Sequence, residues 1–370
     1  MGQKRIYIIA GEASGDLHGS NLIKSLQQKD STLDFRFWGG DKMEAQTQQK
    51  SVKHIRDLAF MGFAEVVMNL RTILGNINFC KQDILKYKPD AIVMIDYPGF
   101  NLRIAEWAKT QGIQVIYYVS PQIWAWKQNR VHKIKKVVDK MFVILPFEKE
   151  FYQRFDYEVE YVGHPLLDAI QQYKANNHPQ FENEEKEIIA LLPGSRKQEI
   201  SRKLPVMLEA IKDFGQYRVV IAGAPSLDED FYTSFPLPEG TEIVFGKTYD
   251  VLNVATAALV TSGTATLETA LFKVPQVVCY KASPISYHIA KRLVKIKYIS
   301  LVNLILDKLS VVELIQGDCN PKRIAKELKA VLPNGNRRHQ VLEDYQNLSQ
   351  ILGGGGASDR IAEGIIKTIN

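Results

Sequence analysis

Short apolar runs alternate with helical patterns along almost the whole chain, and this alternation most narrows what the chain can fold into. In the first half the runs are 6–10, 34–38, 91–96, 115–120 and 141–145, and in the second half they are 187–193, 218–224, 241–245, 257–261 and 276–280. Strands separated by helices predict βαβ units and a parallel sheet. Most runs are apolar throughout rather than at every second residue, as in strands covered on both faces. Between the two series, 171–186 is polar and acidic and has no apolar period, so it reads as a linker. The expected fold class is therefore α/β, with one domain over 1–170 and another over 187–352, a count that 370 residues support. Gly353 to Gly356 forms a flexible break before a helix at about 357–370, with Ile361, Ile365 and Ile366 on its apolar side.

Composition excludes several classes. Cys80, Cys279 and Cys319 are odd in number and form no C-x-x-C pair, which argues against a disulfide framework or a zinc site and fits a reducing compartment. Run 6–10 is too short for a signal peptide, and no run approaches the ~18 apolar residues of a membrane span. A cytosolic protein, or one bound at a membrane surface, is expected. The net charge of +6 is unevenly spread. Lys127, Arg130, Lys133, Lys135, Lys136 and Lys140 surround the single acid Asp139, and Lys281, Lys291, Arg292, Lys295 and Lys297 have no acid among them. Such clusters suit anionic headgroups or phosphate-bearing substrates, or are simply solvated helix faces. No nucleic-acid partner is expected, because no RNP, KH, zinc-finger or helix-turn-helix signature accompanies the charge. Val66, Val67, Leu70, Ile73, Leu74 and Ile77 follow helical spacing, a stripe that faces either the core or lipid.

The turns that follow the strands carry the chemistry. Gly11-Glu12-Ala13-Ser14-Gly15-Asp16 joins the first run to a helix, yet it is neither the dinucleotide fingerprint nor a Walker loop. Its two acids would repel a phosphate, so Glu12, Ser14 and Asp16 suit the hydroxyls of a sugar. The plain alternative is that Ser14 or Asp16 caps the helix. Asp96 ends a strand at the carboxyl edge, where parallel α/β proteins keep their sites, and a carboxylate there can act as a general base or merely close a turn. After run 187–193, Ser195 and Arg196 follow a Pro193-Gly194 turn, where an arginine can fork onto a diphosphate or lie idle at the surface. Ser262, Gly263 and Thr264 open a second helix N-terminus suited to anions, and Glu268 lies one turn on, placed for ribose hydroxyls or only for the helix dipole. His164 touches a ligand or is structural, and Trp124 and Trp126 stack on a sugar or pack. The seven histidines show no H-E-x-x-H or paired spacing, so neither a metal nor a cofactor is expected.

Taken in order, the Gly11 to Asp16 turn, Ile95-Asp96-Tyr97-Pro98-Gly99-Phe100-Asn101, Tyr118-Val119-Ser120-Pro121-Gln122-Ile123-Trp124-Ala125-Trp126, Leu145-Pro146-Phe147-Glu148, Val162-Gly163-His164-Pro165, Leu192-Pro193-Gly194-Ser195-Arg196 and Ser262 to Glu268 resemble the lipid-A-disaccharide synthases. The likeness runs from the first strand to about Leu306. It implies an inverting, metal-independent B-type glycosyltransferase with two Rossmann-like domains facing across a cleft. The implied reaction joins UDP-2,3-diacylglucosamine to 2,3-diacylglucosamine 1-phosphate, giving lipid A disaccharide 1-phosphate and UDP. Asp96 is the implied base on the acceptor 6-hydroxyl and Arg196 the second catalytic residue. Asn101 joins Glu12, Ser14, Asp16, Trp124 and His164 on the acceptor side, while Asn303 joins Ser195, Arg196, Ser262, Gly263, Thr264 and Glu268 at the nucleotide. The family usually has proline at Val302 and threonine at Ala13. The resemblance also implies that the last helix crosses back to the first domain. It places the enzyme peripherally on the cytosolic face of the inner membrane of a Gram-negative bacterium, with the stripe at Val66 to Leu74 in contact with lipid. The oligomeric state, a homodimer included, stays open. The rival readings are another B-type sugar-nucleotide enzyme, such as a UDP-N-acetylglucosamine epimerase, and a non-catalytic binding module.

Overall fold

The computed structural model describes residues 3–58, 70–176, 186–284, 287, 291–292 and 296–370. The chain forms two compact units, 1–168 with 354–370, and 169–353. In the first, strands β1 (Arg5–Ala10), β2 (Asp34–Gly39), β3 (Lys53–His54), β4 (Ala91–Ile95), β5 (Gln114–Tyr118), β6 (Lys140–Val143) and β7 (Glu160–Tyr161) make one sheet in the order β3-β2-β1-β4-β5-β6-β7. Every pairing in it is parallel. β4 is buried at every residue and β1 at all but Arg5, as expected of strands with helices on both faces. The two-residue strands β3 and β7 lie at the edges, too short to leave any pattern in the sequence.

The second unit repeats the plan. Its strands are β8 (Ile188–Leu192), β9 (Arg218–Gly223), β10 (Glu242–Phe245), β11 (Ala255–Thr261), β12 (Gln276–Tyr280) and β13 (Val312–Ile315), in the order β10-β9-β8-β11-β12-β13 and all parallel. β13 was not foreseen from the sequence. Ile188, Ala190, Leu192, Val220, Ala258 and Val260 centre a core against Val251 and Leu252 of the helix Thr248–Val254.

Both topologies reverse direction once. From β1 the chain builds outward to β2 and β3, then crosses to β4 on the other side of β1; from β8 it builds to β9 and β10, then crosses to β11. A crevice opens at the carboxyl ends of two strands whose connections leave in opposite directions. The register Ala10↔Ile95 sets Gly11 beside Asp96, and Leu192↔Val260 sets Pro193 beside Thr261. These are the turns that the motifs occupy.

Near its end the chain returns to the first unit. Helix Ala357–Ile369 buries Ile361, Ala362 and Ile365 completely, and each buried isoleucine contributes about 1.5–3 kcal/mol. Its N-terminus is held by Asp168, whose carboxylate accepts from Gly356 N (2.5 Å), Ala357 N (3.3 Å) and Ser358 N (2.9 Å). Arg360 Nε also reaches Val162 O at 2.8 Å.

Of the apolar stripe, Val66 and Val67 lie outside the described residues, as does the side chain of Leu70. The described part divides between two faces of helix Leu70–Tyr87. Ile77, Cys80 and Ile84 are buried, Ile73 is half-buried, and Leu74 and Phe79 are each 49% exposed. Ile77 therefore belongs to the core rather than to a surface.

Candidate active site

At the first crevice the backbone is forced into an unusual path. Asp96 and Tyr97 both take left-handed conformations, with φ of 45° and 47°, and the β-branched Val119 at the end of neighbouring β5 does so as well, with φ of 61°. Such residues persist only where surrounding contacts hold them, and they gather at functional sites. Asn101 Nδ2 donates to Asp96 O at 2.8 Å, Tyr117 Oη donates to the same carbonyl at 2.6 Å, and Asp96 N donates to Tyr118 O at 3.1 Å. Glycine is required at position 11, since a Cβ there would lie 2.4 Å from Cγ of Tyr97. The Tyr97 ring stacks on Phe100 with centroids 5.4 Å apart, and Phe100 packs on Trp38.

This frame sets the Asp96 carboxyl beside Glu12, the N-cap residue of helix Ala13–Lys29. Burial raises the Asp96 pKa, the negative charge of Glu12 raises it further, and the Tyr97 N–H partly offsets both, bringing it to about 7. A carboxyl poised near neutrality can take a proton in one state and release it in the next. Ser14 is exposed on the first turn of the same helix.

Other predicted acceptor residues are spent on the fold. Asp16 is buried, and its carboxylate accepts from Gly40 N (2.7 Å), Lys42 N (3.0 Å) and Met43 N (3.1 Å), so it caps the helix Asp41–Thr47 instead of meeting a ligand. Asn101 is fully buried and acts on Asp96 through the backbone. Trp124 is buried with its ring edge-on to Phe147 at 4.9 Å, which corrects its expected role at a sugar. The exposed ring is Trp126, 43% accessible, with Lys127 Nζ and Arg130 Cζ lying 4.2 Å and 5.6 Å from its centroid.

His164 is buried, and its Nδ1 accepts from Leu166 N at 3.3 Å. Burial lowers its pKa to about 3, helped by nearby His18, whose own pKa burial lowers to about 4 against a pull upward from Asp168. In the unfolded chain both imidazoles take protons below about 6.5. The folded chain does not, so stability falls as pH drops from about 6.5 toward 4, by about 2 kcal/mol at pH 5 for His18 alone. The raised carboxyls of Asp96 and Glu148 act in the opposite sense. Urea titrations near pH 7 and pH 5 should therefore show a larger acid loss in the wild type than in His18→Leu, and equal losses would refute the neutral buried pair.

At the second crevice, Gly194 has φ of 131°, which favours glycine, and the turn leads into helix Lys197–Ala210. Ser195 and Arg196 are exposed, with Arg196 Nη1 3.3 Å from Glu199 Oε1. Lys203, two turns along, is only 3% exposed. Its Nζ donates to Thr261 Oγ1 and lies 3.8 Å from Glu199 Oε2. Gly263 and Thr264 are exposed at the start of helix Thr264–Leu271, and Ser262 Oγ donates to Ile299 O at 2.8 Å. Glu268 accepts from Tyr249 Oη at 2.9 Å, and burial raises its pKa.

Asn303 leaves the nucleotide set. It is fully buried; its Nδ2 donates to Val311 O and Glu313 Oε1, both at 2.8 Å, and its Oδ1 accepts from Ser310 N and Val311 N. It fastens the loop before β13. Sequence reasoning missed Lys203, although Arg196, Glu199 and Lys203 fall on one helix face at a spacing that could have shown it. Among the described residues no group of three or more His, Cys, Asp or Glu side chains could hold a metal ion, and no helix is long and apolar enough to cross a membrane.

A family model for lipid-A-disaccharide synthetases matches residues 6–358. The chain belongs to the lipid-A-disaccharide synthase family. It is 41% identical to a lipid-A-disaccharide synthase of Syntrophus aciditrophicus over 373 residues, covering 98% of this chain and 97% of that one. It is 38% identical to one of Trichlorobacter lovleyi, covering 97% and 96%. The protein is thus a glycosyltransferase of lipid A biosynthesis with two Rossmann-like domains of the B type. A UDP-GlcNAc 2-epimerase of Methanocaldococcus jannaschii, solved with UDP-GlcNAc and UDP, superposes with a TM-score of 0.68 over 98% of this chain and 99% of that chain, at 16% identity. That likeness is one of fold alone.

Proposed function

We propose that the protein transfers a 2,3-diacylglucosaminyl unit from its UDP conjugate to the 6-hydroxyl of 2,3-diacylglucosamine 1-phosphate, with inversion. The observation that carries this reading is Asp96, strained, fixed by Asn101 and Tyr117, and brought to a pKa of about 7 at a strand switch point. In a single displacement the carboxylate accepts the hydroxyl proton as the oxygen attacks the anomeric carbon and UDP leaves on the other face. Glu12 and Ser14 line the acceptor side. Arg196, Ser195 and the backbone around Ser262, Gly263 and Thr264 meet the diphosphate, and Glu268, its Oε1 held by Tyr249, offers Oε2 to the ribose.

The substrates' acyl chains bring the enzyme to the bilayer surface, since each buried CH₂ contributes about 0.8 kcal/mol to retention there. Exposed Leu74 and Phe79, and Trp126 with Lys127 and Arg130 near its ring, are the side chains suited to that contact. The decisive assay is UDP release with each candidate acceptor, with and without detergent or anionic vesicles. Release that requires the lipid acceptor 1-phosphate and rises with dispersed lipid supports the reading. UDP release without any acceptor, or epimerised sugar nucleotide as product, overturns it.

A further inference from the structure

Lys203 is buried in the second unit without a full counter-charge. Its Nζ touches a neutral hydroxyl, Thr261 Oγ1, and lies 3.8 Å from a carboxylate oxygen, Glu199 Oε2. Glu199 also faces Arg196, so one acid serves two cations. Burying an ammonium is costly unless close opposite charge compensates it, and apolar side chains of similar volume are commonly as good or better for stability. The cost is incurred at one spot. Thr261 ends β11, and a Cβ on Gly194 would lie 3.6 Å from Nζ, so the ammonium sits under both turns that flank the β8/β11 switch point.

We infer that Lys203 is a positioning residue for the diphosphate of a nucleoside diphosphate ligand, joining the Gly194 turn to the Thr261 turn and supplying a fixed positive charge beneath the phosphates. This rests on the donor-site reading given above. The bound diphosphate completes the neutralisation that Glu199 leaves unfinished. The free protein therefore gives up stability at this point for affinity.

The opposite signs of the two effects provide the test. Binding of UDP and of uridine is measured by calorimetry for the wild type, Lys203→Met and Lys203→Gln, together with melting temperatures. Lys203→Met should weaken UDP by about 10- to 100-fold, the scale of a charge-assisted hydrogen bond, leave uridine unchanged, and melt at or above the wild-type temperature. Lys203→Gln, which keeps a polar but uncharged end on a side chain one bond shorter, should lose UDP affinity in the same way and serves alone if the methionine variant does not fold. UDP binding as tight as wild type in either variant, or equal weakening of UDP and uridine, overturns the inference while the donor site stands. If wild-type binding of UDP is indifferent to both Arg196→Ala and Glu268→Ala, the donor-site reading fails and this inference fails with it.

Discussion

Asp96→Asn is expected to slow transfer by about 10²–10⁴-fold while leaving the fold at least as stable as before. Asparagine keeps the size of the side chain but cannot take the acceptor proton. It also removes two costs that the wild type bears: a carboxyl raised by burial and by Glu12, and an aspartate at φ of 45°, a region that asparagine tolerates well. At about pH 8, where Asp96 is ionised, the variant should melt at or above the wild-type temperature. Lost activity then reflects chemistry and not unfolding. The wild-type kcat/KM should fall as pH drops through about 7, because the base works only when deprotonated. Glu12→Gln removes a negative neighbour and should move this acid limb to lower pH. Near-normal turnover in a folded Asp96→Asn protein would remove Asp96 from the role of base.

The carboxyl edges were legible because βαβ folding places function at predictable ends of strands. Continuous apolar runs marked the ends of β1, β4, β8 and β11, and the polar residues after them had to emerge there. The strain at Asp96 and Tyr97 was not legible, since backbone angles follow from how Asn101 and Tyr117 grip the turn. Nor could the sequence separate residues that serve a ligand from those that serve the fold. Asp16 and Glu12 stand in one turn, yet Asp16 is consumed by the amides after β2 and Glu12 faces Asp96. Trp124 and Trp126 are two residues apart with opposite exposure. Asn303 carries the polarity of a binding residue, but partners as distant as Glu313 take up its amide. In each case the deciding contact is non-local.

Arg196→Ala should lower kcat by about 10²–10³-fold and weaken UDP binding about tenfold, with little change in melting temperature. The side chain is 48% exposed and belongs to no core, so its removal leaves packing untouched. Negative charge grows on the UDP oxygens as the glycosidic bond breaks. A guanidinium held at the start of helix Lys197–Ala210 meets that charge more strongly in the transition state than in the bound donor, which is why kcat falls as well as affinity. Truncation has a second consequence. Glu199, 3.3 Å from Arg196 Nη1, loses one of its two cationic neighbours, keeps Lys203, and leaves more of its charge facing the phosphates. Glu199→Gln made on the Arg196→Ala background should therefore recover part of the UDP affinity but little of the turnover, because neutralising an acid restores no donor for the leaving group. Recovery of both would mean that Arg196 acts only by shielding Glu199. Recovery of neither, with Arg196→Ala binding UDP as well as the wild type, would put the leaving-group charge outside this turn.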